Sequence, residues 1–500
     1  MKLQLFAAAA LSLLIAGCVC QNGDKTVVRY EDFGARGDGK TCDFDALIAA
    51  HDYANKHNLP VRANDNATYY LSGADKYVSI QTDTDWGKAK FLVDDRNVKN
   101  WKTPIFLIKP SREAVELKNF PTLKKNQAKI DYPFEYPCQI KVVNENIRRY
   151  IRKGFNSNGQ AQNDVFCVDK DGNVDMNAPI LWDYDHISSA TAFPIDQEVL
   201  TVRGGVFTTL VNHAVGKFVY VSRNIQVKRS NTVVENVMHY LAEEAGPAGH
   251  PYNGFIHVGD CAYVTIKNCG FSGHRITTAG TYDIITWCTV STSFVDCFQV
   301  NDINDTTRWG VMGSNYCKNL LYDGCKLSRF DAHCGVVNAT VRNSVIGWMG
   351  INAIGSGTFL IENTISHAGS FANFREDFGC IWDGNMIIRN CIWYPRWFGK
   401  SVIFSGRNTG DHDFGYDCKL PTVIEIENFR VMDGKNGNNY LGIWVFDNVN
   451  PNYKTADYQA KSPLAVPEKL ILRNVTSEKG AKVVPFDNGH MFGKMQVVCE

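Results

Sequence analysis

An eight-residue phrase that returns along the second half of the chain constrains the fold more than anything else in the sequence. In its clearest form, Val264-Thr265-Ile266-Lys267-Asn268-Cys269-Gly270-Phe271, apolar and polar residues alternate, an Asn follows, then small residues and another apolar one. Variants are Phe294-Val295-Asp296-Cys297, Leu321-Tyr322-Asp323-Gly324-Cys325, Thr340-Val341-Arg342-Asn343-Ser344, Leu360-Ile361-Glu362-Asn363-Thr364, Ile387-Ile388-Arg389-Asn390-Cys391 and Ile424-Glu425-Ile426-Glu427-Asn428-Phe429. Val233-Val234-Glu235-Asn236 precedes them and Leu470-Ile471-Leu472-Arg473-Asn474-Val475 closes the series. Alternation sends every second side chain of a short strand into a core; Asn then turns the chain, because it tolerates left-handed backbone geometry and bonds neighbouring peptide groups. Returns at intervals of roughly 20 to 37 residues match one coil of a β-solenoid with loops of variable length. Stacked coils would align Asn236, Asn268, Asn343, Asn363, Asn390 and Asn474 in a ladder. A sandwich of two sheets, the competing architecture, calls for closer and more regular hairpin spacing.

Composition agrees with many turns around a large core: 41 glycines and 44% hydrophobic residues in 500, with few long amphipathic helical stretches. Basic and acidic residues number 52 each, so no global field draws the chain to nucleic acid or to a membrane surface, and attraction for an acidic polymer must be local. Residues 1–20 read as a targeting segment, with Lys2 as the charged start and an apolar run from Leu3 to Ile15. The run ends in Ile15-Ala16-Gly17-Cys18, which resembles a bacterial lipobox; an ordinary signal peptide with a chance Cys is the other reading. The lipobox implies lipidation at Cys18 and a Gram-negative cell envelope location, with the membrane engaged only through the N-terminal anchor. Sixteen cysteines in an exported chain would ordinarily mean disulfides, but Cys269, Cys297, Cys325 and Cys391 recur at equivalent points of the repeat, as a column of buried free thiols would.

Ahead of the repeats, Phe33-Gly34-Ala35-Arg36-Gly37-Asp38-Gly39-Lys40-Thr41 leads into a helical pattern through Phe44, Leu47, Ile48, Ala50 and Tyr53. This stretch resembles the start of the pectate-lyase-like β-helix superfamily, F-G-A-x-G-D-G-x-T-D-D-T before a capping helix, from which Cys42 and Phe44 depart. The resemblance implies an all-β chain folded as a right-handed parallel β-helix whose N-terminal helix plugs the open core. A phosphate-binding glycine loop would need a preceding strand and a helix N-terminus placed for it. The expected organisation is one β-helix domain over 27–500: a cap at 27–62, elaborated first coils at 63–225, regular coils at 226–450, and a last coil and tail at 451–500. Within the elaborated part, Tyr77–Thr82, Ile105–Ile108, Gln139–Val143 and Val199–Phe207 read as strands. Asp169-Lys170-Asp171-Gly172-Asn173-Val174-Asp175 has carboxylate spacing reminiscent of calcium sites, yet Asp-Gly and Gly-Asn between extended runs signal a hairpin turn.

The strand after each Asn turn faces outward on every second residue, so successive coils build one wall. In Ser328-Arg329-Phe330-Asp331-Ala332-His333, alternation sends Phe330 and Ala332 inward and Arg329, Asp331 and His333 outward together. A carboxylate that orients an imidazole, beside a cation for an acidic group, suits general acid–base work; a salt-bridge ladder between coils is the structural alternative. His274-Arg275 and Arg308-Trp309 fall on preceding coils, where Arg308 could meet a substrate carboxylate or pair with Asp302 or Asp305. Candidate substrate contacts are Asp302, Trp348, His367, Arg375, Tyr394, Arg396 and Trp397, the aromatics as platforms for sugar rings or as packing between coils, and Arg375 within a charged run that reads as a solvated loop.

The N-T-D, D-D, G-H-G and R-I-K motifs of polygalacturonase-like hydrolases are missing, as are the signatures of calcium-dependent pectate lyases. A groove rich in His and Arg points first to a polysaccharide lyase acting on a uronate-containing polymer: Arg308 or Arg329 would neutralise the carboxylate, His333 would take the C5 proton, and His274 or a Tyr would protonate the leaving oxygen. General resemblance is greatest to the β-helical glycosaminoglycan (chondroitin sulfate) lyases of gut bacteria. The alternatives are an inverting glycoside hydrolase using Asp302, Asp305 and Asp331, and a glycan-binding lipoprotein without catalysis. The expected partner is the polysaccharide, not nucleic acid; no cofactor is implied, and no clear motif accompanies a divalent cation such as calcium.

Overall fold

The computed structural model describes residues 27–500 apart from 73–74, 96–97, 155–156, 211–219, 243–250, 277–279, 397–398 and 438. Cys18 and Trp397 therefore lie outside the described residues.

The alternating repeat folds as the inner wall of a right-handed parallel β-helix. Ala262–Lys267, Val290–Val295, Lys318–Asp323, Val336–Arg342, Gly355–Glu362, Trp382–Arg389, Val423–Val431 and Lys469–Ser477 pair in register, each with the next coil. Ile266, Phe294, Tyr322, Val341, Ile361, Ile388, Ile426 and Leu472 are thereby stacked into one buried column. The Asn positions have the left-handed geometry expected of them, with φ between 48° and 60° from Asn236 to Asn474. Side-chain bonds run from Asn343 to Asp323, Asn363 to Asn343, Asn428 to Asn390 and Asn474 to Asn428. Just past the turns, Cys269, Cys297, Cys325 and Cys391 are buried free thiols. A third strip closes each coil, including Tyr282–Trp287, Met312–Asn315, the far halves of Lys326–Cys334 and Val345–Ala353, then Ala372–Phe374, Lys400–Ser405 and Gly442–Phe446.

At the N-terminal end the helix Phe44–His57 buries Phe44, Leu47, Ala50 and Ala54 in the same core as Tyr30 and Trp86, as a plug must. The glycine-rich stretch before it is a structural turn. Gly37 has φ +60°, a Cβ there would come 2.7 Å from that of Ala67, and its N–H and that of Arg36 donate to the carboxylate of Asp43.

Three of the four early strand-like runs join the solenoid, as Val78–Ile80, Phe106–Ile108 and Leu200–Leu210. Gln139–Val143 does not. It lies in Cys138–Arg149, which pairs antiparallel with Gln160–Val168 and Ser189–Pro194 around a separate core of Leu123, Ile140, Phe166 and Tyr184. The Asp169 segment is the hairpin turn, its carboxylate taken up by the backbone N–H groups of Asp171 and Asn173. This inserted sheet docks on the coils through Tyr150, Val165 and Cys167 against Cys288, Val290, Tyr316 and Phe378. Lys318 and Asp164 form a buried ion pair of 2.8 Å across the seam.

Candidate functional site

Coil corners set where a ligand can lie. Residues 300–311 loop out between Phe298–Gln299 and Met312–Asn315, whereas Lys326–Cys334 and Val345–Ala353 turn the same corner as unbroken strands. The alternation within 328–333 is as expected, with Phe330 and Ala332 in the core and Arg329, Asp331 and His333 on the other side. Their exposure is not. Arg329 and Asp331 are buried, and loop 300–311 covers Arg329: Trp309 lies by its guanidinium at 5.9 Å, and a Cβ on Gly310 would meet the Arg329 side chain at 2.6 Å. Only His333, with 21% of its side chain exposed, reaches towards solvent.

The three form one unit. Asp331 Oδ2 lies 2.7 Å from Arg329 Nη2 and 3.0 Å from His333 Nδ1. Arg329 Nε and Nη1 and Asp331 Oδ1 are buried without a hydrogen-bond partner among the described residues. Burial pushes the Asp331 carboxyl up, but Arg329, His333 and Arg375 more than offset it and hold it below its usual range. Burial pulls His333 below the ordinary imidazole value against the opposing field of Asp331, so its ring is neutral near pH 7. Arg375 Nη1 approaches the same Nδ1 at 2.8 Å, while its Nε and Nη2 grip Asp377 at 3.0 and 2.6 Å, and Arg152, from the inserted sheet, binds Asp377 at 2.6 Å. Tyr282 packs edge-on against His333, 6.3 Å between centroids, and burial pushes its hydroxyl up to about 12.

Beyond Arg375 lies a cleft of about 860 Å³, lined by Arg152, Arg375, Glu376, Asp377, Arg407 and Asp447 and floored by Asn373 and Ser405. Its floor continues the Asp331 position, since Asp331, Asn352, Asn373 and Ser405 occupy one register, and their amides and hydroxyl bond in series, Asn373 to Asn352 at 2.9 Å and Ser405 to Asn373 at 3.1 Å.

The other sequence candidates are distributed differently. Arg308 is held by Asp305 at 3.2 Å and by the Gly273 carbonyl at 2.7 Å, so it ties two loops together and is committed as a brace. Asp302 and Asp305 accept from backbone N–H groups that form turns of their own loop, whereas Asp331 is buried against Arg329 and His333. His274 is buried, stacked on Tyr252 at 4.9 Å and 3.9 Å from Asp283, in a second buried network where Asp283 also binds His239 at 2.7 Å and His239 binds Thr209 at 2.8 Å. Trp348 packs beneath the 300–311 loop, its backbone N–H on the Ile303 carbonyl. His367 and the exposed Tyr394 stack at 5.0 Å on the strip around the corner from the cleft, with exposed Arg396 beside them. Burial, with Arg396 adding to it, lowers the His367 value.

Arg375 is the largest change of role. The run Arg375-Glu376-Asp377 is no solvated loop: Arg375 and Asp377 are partly buried and join the His333 unit to the cleft. The repeat held a signal for this, since Asp331 is in register with Asn352 and Asn352 with Asn373, which brings Arg375 to the coil position of His333. Arg152 had none, because it arrives from an insert whose docking no local pattern records.

No protein-family model matches the chain, and a search of curated proteins finds no match. Among solved structures, it is similar to the tailspike gp61 of Pseudomonas phage phi297, with a TM-score of 0.55, 12% identity, and coverage of 94% of this chain and 83% of that one. The tailspike gp49 of Pseudomonas phage LKA1 gives 0.54, 15%, 90% and 81%. At such identities the likeness establishes the parallel β-helix fold alone.

Proposed function

We propose that the chain is a polysaccharide lyase that cleaves a uronate-containing polymer by β-elimination, exported to a Gram-negative envelope and anchored through Cys18. The observation that carries this reading is a neutral His333 tied through Nδ1 to a buried, ionised Asp331 and touching Arg375, which itself lines a polar cleft. Asp331 at 3.0 Å favours the tautomer with the proton on Nδ1, in which Arg375 Nη1 cannot donate to that nitrogen and turns its N–H groups to the substrate; the Nε2 lone pair is then left to take the C5 proton of the uronate. Arg375 would neutralise the substrate carboxylate and stabilise the charge that develops on it. As the C5–H pair becomes the C4–C5 double bond, the C4–O bond breaks, and Tyr282, which stays protonated across working pH, supplies the proton to the departing oxygen. Relative to the sequence expectation, the neutralising cation changes from Arg308 or Arg329 to Arg375, and of the two acids expected, His274 or a Tyr, the reading takes a Tyr, Tyr282. The general resemblance noted above makes glycosaminoglycans the first polymers to try.

One observation favours a hydrolytic alternative: Glu376 and Asp447 line the same cleft. A screen against uronate polymers that follows both ultraviolet absorbance and reducing ends separates the two. A lyase yields unsaturated, absorbing ends together with reducing ends, a hydrolase yields reducing ends alone, and a binding protein yields neither.

A further inference from the structure

A second, smaller cleft of about 380 Å³ adjoins the first, and Glu376 and Arg407 line both. Other cations along these walls have acidic partners: Arg375 and Arg152 bind Asp377, and Lys153 binds Asp411 at 2.7 Å and Thr409 at 3.1 Å. Arg407 differs. It is exposed and, among the described residues, its guanidinium has no ion-pair or hydrogen-bond partner, Glu376 included. The backbone that carries it is fixed nonetheless. A Cβ on Gly406 would stand 2.9 Å from the Phe374 carbonyl and 3.0 Å from the Cys380 sulfur, and buried Asn408 bonds the Gly379 carbonyl at 2.9 Å and the Gly410 N–H at 2.8 Å.

We infer that Arg407 binds a second acidic substituent of the polymer, a carboxylate or a sulfate ester, on a sugar residue beyond the one held at Arg375. This rests on the reading of the cleft as a polysaccharide site. Two joined clefts exceed what a single ring fills, since volumes of several hundred Å³ hold drug-sized ligands. A planar fork without an internal acid on a fixed backbone suits bidentate recognition of an oxyanion. The site reads charge at a distance from the bond that breaks, so it sets specificity and affinity and takes no part in proton transfer.

The test is affinity electrophoresis of the full chain, in a His333→Ala background that keeps the polymer intact, through gels containing an unsulfated uronate polymer, a sulfated uronate polymer or a neutral polysaccharide. Arg407→Gln is expected to weaken retardation by the acidic gels roughly three- to tenfold, as loss of one exposed charge-assisted contact does, and Arg407→Lys to recover part of it. Equal loss on both acidic gels assigns the group as carboxylate, and loss confined to the sulfated gel assigns it as sulfate. Undiminished retardation of Arg407→Gln, an equal loss in the neutral gel, or no retardation of the parent by any acidic gel overturns the inference. If the parent is retarded and Arg407→Gln is not, while the native chain cleaves nothing, the elimination reading fails and this one stands.

Discussion

Asp331→Asn isolates the pair that underlies the candidate site. The carboxylate has no exposed surface, its Oδ2 takes a 2.7 Å bond from Arg329, and Arg329 is itself 5% exposed, with two nitrogens lacking partners among the described residues. Asn keeps the volume and removes the charge, which leaves Arg329 as an uncompensated buried cation. Removing one partner of a buried pair costs about 3–5 kcal/mol. An unfolding entropy of about 2.1 cal/mol/K per residue over roughly 470 residues is about 1 kcal/mol/K, so the melting midpoint should fall by about 3–5 °C. Arg329→Met should be damaging for the mirror reason, and the double variant Arg329→Met with Asp331→Asn should melt well above the sum of the two losses, because neither charge is then stranded. Calorimetry on the four proteins reads this directly. A wild-type midpoint for Asp331→Asn, or additive losses in the double variant, would refute the claim that the two charges are buried and interdependent.

Three further outcomes follow from the same geometry. His333 must be neutral to act as a base, and burial lowers its value, so the acid limb of kcat/KM should lie below about 6.5; Arg375→Gln, which removes a cation that also lowers His333, should move that limb to higher pH, and a limb moving lower would contradict the contact. Asn363 has φ 48° and a side-chain bond to Asn343, so Asn363→Leu should cost about 1–3 kcal/mol and Asn363→Gly less, since Gly accepts the backbone but forfeits the bond; equal melting of all three would speak against the ladder. Cys18→Ala should release the protein from membranes on fractionation, and unchanged sedimentation with the membrane would end the lipid-anchor proposal.

What could be read ahead of the structure was what is local. Asn turns, the apolar column and the glycine-rich start each depend on a few neighbouring residues, and Asn268, Asn363 and Gly37 have the backbone geometry their chemistry demands. The side of the strand on which Arg329, Asp331 and His333 lie was also legible, because period-two alternation is a property of one strand. The burial of Arg329 was not, since Trp309 and Gly310 cover it from another coil. Arg308 and His274 illustrate the same limit: residue type marks them as reactive, while Asp305 and the Gly273 carbonyl, or Tyr252 and Asp283, decide that they brace or pack. Arg152 is the extreme case, brought to Asp377 across 225 residues of sequence by a sheet whose docking rests on a nonlocal apolar seam.

The elimination proposed here turns on proton removal by His333. Its most direct test is the rate of ultraviolet absorbance from unsaturated ends, measured on a uronate polymer with the wild-type chain and with a folded His333→Ala variant whose melting is recorded alongside. Absorbance should rise in step with reducing ends for the wild type and fall roughly 100-fold or more in the variant. Reducing ends without absorbance, or an undiminished rate in His333→Ala, would contradict it.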